Sequence, residues 1–213
     1  MEEVIHNLRY GVATPFKHNP EPLWAPTSHT QTDKTAAAGF TDNLCSWLKQ
    51  GFVAGPFKEP PIEGLRINTV FSVEQPDKYR NIMNMSFPKK RSYNDAIDED
   101  QLHSVKMTNP RLVSQAVRKA GKGAVMSKLD MKDAYKLLSI QHGDLKYQGF
   151  MWMGMIFIEK RLIFGSKPAV PAFDIFHASI VNLVRAEAKT NPKFEHRILD
   201  DMLFISPGPG CIF

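Results

Sequence analysis

Cysteine is scarce in this sequence, and its scarcity excludes the folds that are built on cysteine. The 213 residues include two cysteines, Cys45 and Cys211, which lie far apart, without a C-x-x-C partner or a histidine at ligand spacing. Disulfide frameworks and structural zinc sites both depend on such spacings. We therefore expect two ordinary thiols and a reducing compartment.

Long apolar runs are also missing. No window approaches the roughly 18 uninterrupted apolar residues that a membrane span needs. The first ten residues, MEEVIHNLRY, contain no apolar segment of the kind found in secretory signals. The sequence also lacks internal repeats and coiled-coil heptads. We expect an intracellular chain with no membrane partner, and nothing in the sequence decides between nucleus and cytoplasm.

Charge of one sign is only mildly in excess. Lysine and arginine number 27 against 22 acidic residues, which gives a net charge of +5. This excess favours polyanionic partners but is shared by many proteins with no nucleic-acid role. The 43% hydrophobic content is sufficient for a real core, in one large domain or two small ones.

The N-terminal half shows three segments that differ in composition. Residues 11–35 are rich in Pro, Thr, His and Asn, which predicts an extended arm with little regular structure. Helical spacing predicts a helix over 41–50, capped by Thr41 or Asp42, and GPFKEPP at 55–61 predicts a break in the chain. The pattern of residues 65–87 predicts two strands joined by an EQPD turn.

The C-terminal half has clearer boundaries. Asn109, Pro110 and Gly121 have the residue types of an N-cap, a first helical position and a helix stop. That helix leads into a strand, AVMSKLDM, which ends near Asp130. Residues 147–159 predict a hairpin that turns near Gly154, and 170–189 predict a third helix.

Three carboxylates are poorly explained by these elements. In RILDDMLFIS, Asp200 and Asp201 lie between two apolar strands, and Asp130 ends another apolar strand. Two charges roughly 4 Å apart repel by about 4 kcal/mol at an effective dielectric near 20, so a partly buried pair needs a cation, a proton or water. A solvated turn at Asp200 and Asp201, and a helix cap or surface charge at Asp130, remain alternatives. On two neighbouring strands, the three would instead form a divalent-metal site of the kind that supports phosphoryl transfer.

The motifs around these carboxylates resemble those of reverse transcriptases of retroelements, most closely the DIRS-type, tyrosine-recombinase retrotransposons. The resemblance spans about Gly51 to Pro207 and rests on four segments in the family's order: KYRNIMNMSFPKKRSYNDAI, LDMKDAY, FGSKPAVPAFD and LDDMLFISP. GPFKEPP and YQGFMWMG are further matches to DIRS-type chains. Each motif is weak alone, whereas four in order and spacing are specific.

The resemblance implies roles for individual residues. Asp130, Asp200 and Asp201, with the main-chain carbonyl of Met131, would hold two Mg²⁺ ions, for which Mn²⁺ could substitute. The other implied contacts are to the nucleotide. Arg80 and Lys78 would contact the triphosphate, and Asp133 and Ala134 would line the sugar pocket. Tyr135 would be the steric gate that excludes a ribose 2′-hydroxyl, and Phe164 and Gly165 would also bind substrate. Structural roles remain alternatives, with Tyr135 as a core aromatic, Arg80 as a solvated charge and Gly165 as an ordinary turn.

The resemblance also implies a fold and partners. We expect an α/β (α+β) fold made of the fingers and palm of a right-hand polymerase, with the thumb absent or truncated. The predicted layout is an N-terminal arm and helix (1–51), fingers (52–105 and 141–165) and palm (106–140 and 166–213). The implied partners are an RNA or DNA template with its primer, deoxynucleoside triphosphates, and the thumb, RNase H and recombinase domains of the intact element.

Several positions depart from the family pattern. Ile198 replaces the usual Tyr of the third motif, and Ser72, Val73 and Glu74 replace a Pro-Lys-Lys run near the triphosphate. Pro168 and Pro171 are expected to delay the third helix, and Ile163 and Val170 replace two usual prolines. The chain ends soon after the Asp pair, which suggests a fragment or a decaying copy.

These departures leave three hypotheses. The first is a catalytic reverse transcriptase fragment, and the second is a non-catalytic remnant that keeps the fold and binds nucleic acid weakly. The third, an RNA-dependent RNA polymerase, is disfavoured by Tyr135, because such enzymes need room for the 2′-hydroxyl.

Overall fold

The computed structural model describes residues 1–24, 33–76, 78–105, 108–188, 194–198 and 201–207. Its helices are α1 (Glu2–Tyr10), α2 (Lys34–Lys49), α3 (Pro110–Ala120) and α4 (Ala169–Ala188). Its strands are β1 (Val53–Phe57), β2 (Ile67–Asn68), β3 (Val70–Glu74), β4 (Tyr79–Met83), β5 (Val125–Asp130), β6 (Gly149–Trp152), β7 (Met155–Glu159), β8 (Phe194–Ile198) and β9 (Asp201–Ser206). No described helix has the length and apolar character to cross a membrane.

The chain divides into two compact units. The larger unit comprises Met1–Leu102 and Tyr135–Ala169, and the smaller unit comprises His103–Ala134 and Val170–Phe213. The mixture of helices and strands confirms the predicted α/β class.

The larger unit is built on a four-stranded mixed sheet in the order β1-β7-β6-β2, with a separate hairpin of β3 and β4. Strands β6 and β7 form the predicted hairpin, and its two turn residues, Met153 and Gly154, have φ angles of 47° and 73°. Positive φ at both positions is the requirement of the two-residue turn that matches strand twist. Phe40 of α2 stacks on Trp152, which joins the helix to the main core.

The N-terminal region is more helical than predicted. Residues 2–10 form α1, a helix that was not predicted, and α2 begins at Lys34, well before 41. Asp33 caps α2 by accepting hydrogen bonds from the N–H groups of Thr35 and Ala36, so the prediction of Thr41 or Asp42 as the cap is wrong. Alanine at 36–38 explains the earlier start, because alanine has the highest helix propensity.

The predicted chain break at GPFKEPP is also wrong in part. Gly55, Pro56 and Phe57 belong to β1, whose pairing with β7 changes register between Ala54 and Phe57. A proline cannot donate to a ladder, and edge strands and bulges are where sheets accept it. β1 is the edge strand of its sheet and has this irregularity at Pro56, so the strand continues through the proline.

The predicted hairpin over 65–87 is confirmed, with a correction to its first strand. β3 and β4 pair from Val70–Met83 to Glu74–Tyr79, and main-chain hydrogen bonds between Gln75 and Lys78 close the hairpin. Residues 67–68, however, leave the hairpin and form β2, which runs parallel to β6.

The arm before α2 is held by a buried arginine. Arg66 has no exposed surface and donates hydrogen bonds to the main-chain oxygens of Glu21 and Arg91 and to Oδ1 of Asn68. Burial lowers the pKa of this guanidinium. Glu21 of the arm thus contributes one of the acceptors that the buried cation needs.

The smaller unit contains a three-stranded antiparallel sheet in the order β5-β9-β8. Asn109, Pro110 and Gly121 bound α3 as predicted, and α3 packs its Ala116 and Ala120 against Ile205 of β9. The prolines do not delay α4, which begins at Ala169 with Pro171 in its first turn. The first N–H groups of a helix have no intrahelical acceptor, so proline costs little there.

Candidate functional site

Two of the three unexplained carboxylates lie directly opposite each other. In the antiparallel ladder of β5 and β9, Asp130 pairs with Asp201, and this pair ends the ladder. Residues directly opposite in an antiparallel pair share a face and hold their Cβ atoms about 4.5–5.5 Å apart. Asp200 lies outside the described residues. The neighbouring antiparallel strands expected for Asp130 and Asp201 are therefore present.

The two oxygens of Asp201 have different surroundings. Oδ2 forms an ion pair with Nζ of Lys128 at 2.8 Å, whereas Oδ1 is buried and has no hydrogen-bond partner among the described residues. Leaving a buried charged oxygen without a donor costs at least about 1–3 kcal/mol. Such an atom is suited to receive a cation.

The same strand supplies Lys128. Alternate residues of a strand share a face, so Lys128 and Asp130 are on one side of β5. Lys128 is not among the site residues predicted from the sequence, although its position two residues before Asp130 is a usable signal. The lysine side chain is 62% exposed, so solvent screens its interaction with Asp201.

The position of Asp201 follows from the packing of β9. Met202 and Ile205 are buried, and Leu203 and Ile205 pack with α3. β5, in contrast, is exposed along its whole length. The carboxylate pair thus lies at the end of a ladder that is anchored through β9.

The donor set fits a hard divalent cation. Mg²⁺ binds proteins through one or two carboxylates and fills its remaining positions with water and substrate phosphates. Asp130 and Asp201 supply two carboxylates and one unpartnered buried oxygen. Within the part of the chain that the structure describes, which excludes Asp200, no group of three or more His, Cys, Asp or Glu residues is placed to hold a metal ion.

The residues after β5 have the conformations that a tight turn requires. Met131 directly follows the strand, and Asp133 has a φ of 52°, which aspartate tolerates better than most residues. Ala134 is 5% exposed and begins a short 3-10 helix.

Three residues of the predicted nucleotide site come together in the larger unit. Tyr135 and Phe164 form an edge-to-face contact, with ring centroids 5.8 Å apart, and the Arg80 guanidinium lies 5.9 Å from the centroid of Phe164. Phe164 remains 52% exposed, which leaves part of its ring available to a ligand. Gly165 follows with a φ of 94°, and Lys78 is in the turn of the β3–β4 hairpin.

A buried ion pair adjoins the predicted gate. Lys136, next to Tyr135, pairs with Glu159 of β7, and the lysine Nζ lies 4.1 Å from the centroid of Trp47. Burial raises the pKa of Glu159, although Lys136 opposes this shift. No sequence signal identified this pair, because its members are 23 residues apart and meet only through the tertiary contact between a short 3-10 helix and β7.

Comparison with known proteins supports the fold. Neither a protein-family model nor a curated protein sequence matches the chain. Among solved structures, the native protease–reverse transcriptase of prototype foamy virus matches with a TM-score of 0.59 at 18% identity, over 91% of this chain and 22% of that one. The foamy viral protease–reverse transcriptase dRH in complex with double-stranded DNA matches with a TM-score of 0.60 at 17% identity, over 89% of this chain and 28% of that one.

These likenesses show a reverse-transcriptase-like fold. The chain spans about a quarter of the length of the structures it matches. The right-hand polymerase fold implied by the motifs is therefore confirmed.

Proposed function

We propose that this chain is the fingers and palm part of a retroelement reverse transcriptase of the DIRS type, which adds deoxynucleotides to a primer 3′-hydroxyl. The observation that carries the proposal is the cross-strand pair of Asp130 and Asp201, with one buried oxygen lacking a hydrogen-bond donor among the described residues. The reverse-transcriptase-like fold supports the general activity. GPFKEPP and YQGFMWMG support the DIRS-type assignment.

Asp130 and Asp201, together with Asp200 and the carbonyl of Met131, would hold two Mg²⁺ ions. When bound, such ions polarise the phosphoryl group and stabilise the attacking and leaving oxygens. The role of the aspartates is to fix the position of that charge at the end of the β5–β9 ladder.

The larger unit would select and hold the nucleotide. Arg80 would contact the triphosphate, because a guanidinium can form two parallel hydrogen bonds to phosphate oxygens. Tyr135, supported by the ring of Phe164, would exclude a ribose 2′-hydroxyl. Asp133 and Ala134, which belong to the smaller unit, would border the sugar.

The proposed partners are a primer–template and deoxynucleoside triphosphates. One structural neighbour is a complex with double-stranded DNA. Because the chain spans about a quarter of such proteins, we propose that thumb, RNase H and recombinase domains accompany it in the intact element.

A second candidate is a non-catalytic remnant that binds nucleic acid weakly. The observation that favours it is the ion pair of Lys128 with Asp201, which places a cation of the protein on a proposed metal ligand. Under this hypothesis, the parent binds divalent metal no better than an Asp130→Asn, Asp201→Asn double variant, because Lys128 occupies Asp201. Under the catalytic hypothesis, the parent binds the metal more tightly than that double variant even with Lys128 present.

Primer extension tests the proposal. The assay uses an RNA template, a DNA primer, Mg²⁺ and deoxynucleotides, and compares the parent with an Asp130→Asn, Asp201→Asn double variant. The matched control is Glu187→Gln, an exposed carboxylate of α4. We expect salt-sensitive binding in all three proteins, because phosphate contacts weaken as salt rises.

The expected extension by the parent is weak, because positioning dominates phosphoryl transfer and this chain spans a small part of its neighbours. We expect it to be lost in the double variant and retained in Glu187→Gln. Equal extension by the parent and the double variant would contradict the proposal. Binding by all three without any extension would favour the remnant.

A further inference from the structure

A buried asparagine holds the turn that carries Phe164. Asn94 is 6% exposed, its Nδ2 donates to the main-chain oxygen of Gly165, and its Oδ1 accepts from the N–H of Lys167, both at 2.9 Å. Nδ2 also donates to Oγ of Ser86 at 2.9 Å. A side-chain amide has two donor hydrogens and one acceptor oxygen, and all of them are used here.

Both ends of this connection are fixed. The main-chain N–H of Asn94 donates to the oxygen of Met85 at 2.9 Å, which ties the asparagine to the residues after β4. At the other end, Lys167 forms an ion pair with Glu99 at 2.5 Å. The turn at residues 164–167 is therefore attached to the segment around Asn94 at Gly165 and at Lys167.

The residue next to this attachment carries two contacts of the proposed nucleotide site. The ring of Phe164 meets Tyr135 edge to face and lies beneath the guanidinium of Arg80. If the turn is displaced, the Phe164 ring changes its position relative to Tyr135 and Arg80. Misplacement by about 1 Å can cost on the order of a hundredfold in a positioned reaction.

We infer that Asn94 is a positioning residue that sets the discrimination between deoxyribonucleoside and ribonucleoside triphosphates by holding the Phe164 ring against Tyr135 and Arg80. This inference rests on the proposed function. Asparagine is suited to the task because it donates to one main-chain group of the turn and accepts from another. Ionised aspartate has the same shape but only acceptors, so it would place an oxygen against the Gly165 carbonyl.

The test compares Asn94→Asp with a matched control, Asn68→Asp. Asn68 is 2% exposed in the same unit, and its Nδ2 donates to the main-chain oxygens of Tyr147 and Gly149 at 2.9 and 3.1 Å. Both substitutions place a carboxylate oxygen against main-chain oxygens. Asn68→Asp also places a charge beside the Arg66 guanidinium, so the stability of each variant is measured first. Measurements are made at a temperature where both variants are folded.

The first readout is the ¹⁹F resonance of Tyr135 in protein labelled with 3-fluorotyrosine, assigned with Tyr135→Phe. We expect Asn94→Asp to shift this resonance and Asn68→Asp to leave it at the parent position, because only Asn94 bonds the Phe164 turn. An unshifted Tyr135 resonance in Asn94→Asp would overturn the inference.

The second readout is the affinity for dGTP and for GTP, with Mg²⁺ and a primer–template duplex present. We expect the parent and Asn68→Asp to prefer dGTP, and Asn94→Asp to lose about tenfold or more of that preference, since positioning sets selectivity. A preference unchanged in Asn94→Asp would overturn the inference alone. A parent with no preference for dGTP would overturn both the inference and the proposed function.

Discussion

The two groups of predicted site residues differ in the burial of the structure around them. The carboxylates of the smaller unit end a ladder whose β5 strand is exposed, with Val125, Met126 and Leu129 at 52%, 57% and 51%. The nucleotide-site residues of the larger unit adjoin buried polar contacts, namely the Lys136–Glu159 pair and the hydrogen bonds of Asn94. Stability and function should therefore be separable in the smaller unit and coupled in the larger one.

The largest stability effect is expected from Glu159→Leu. The side chain of Glu159 is 3% exposed and that of Lys136 is 15% exposed, so the substitution leaves a mostly buried ammonium unpaired. Removing one partner of a buried ion pair costs about 3–5 kcal/mol. Chemical denaturation measures this loss in the free energy of unfolding.

The control is the double variant Lys136→Met, Glu159→Leu. Replacing both charges by packed apolar groups is often neutral or stabilising, so we expect the double variant to recover most of the loss. Asp201→Asn should have little effect on the same measurement, because Lys128 is exposed. A loss of less than about 1 kcal/mol in the free energy of unfolding of Glu159→Leu would contradict the proposed difference between the two units.

An intermediate effect is expected from Gly165→Ala. Open space surrounds the position, but its φ of 94° lies in the region that non-glycine residues avoid. The backbone strain should cost about 1–2 kcal/mol. The matched control is Gly143→Ala, which has equal space and an ordinary φ, and which should be neutral or slightly stabilising. Thermal denaturation compares the two, and equal behaviour would contradict the backbone explanation.

The smallest effect is expected from Asp95 and depends on pH. Hydrogen bonds from the hydroxyl and N–H of Ser92 hold the pKa of Asp95 below its ordinary 3.8. Because the pKa is depressed in the folded state, its contribution to stability is complete above pH 3.8 and is lost as pH falls through the lower, folded value. The difference in unfolding midpoint between the parent and the Asp95→Asn variant should become smaller as the pH falls over that range. A constant difference at all pH values would contradict this.

The elements that the sequence predicted well are set by local signals. The caps of α3, the β6–β7 turn and the strand ending at Asp130 each depend on a few adjacent residues. The motifs also led to the correct fold, which their order and spacing specify better than periodicity does.

The features that the sequence did not reveal depend on contacts between distant segments. The hydrogen bonds of Asn94 to the Phe164 turn join residues that are 71 and 73 apart, and nothing around Asn94 indicates them. β1 continues through Pro56 because it is an edge strand, which is a property of the sheet. The metal and nucleotide roles of the site residues remain predictions.

The most direct test of the central hypothesis is a titration with Mn²⁺, followed by electron paramagnetic resonance, on the parent and the Asp130→Asn, Asp201→Asn double variant. We predict that the double variant loses about tenfold or more in Mn²⁺ affinity, which is about 1.4 kcal/mol, while its unfolding midpoint is unchanged or raised because like charges are removed. The control Glu187→Gln should bind Mn²⁺ like the parent. Equal affinity in all three proteins would contradict the assignment of Asp130 and Asp201 as a metal site.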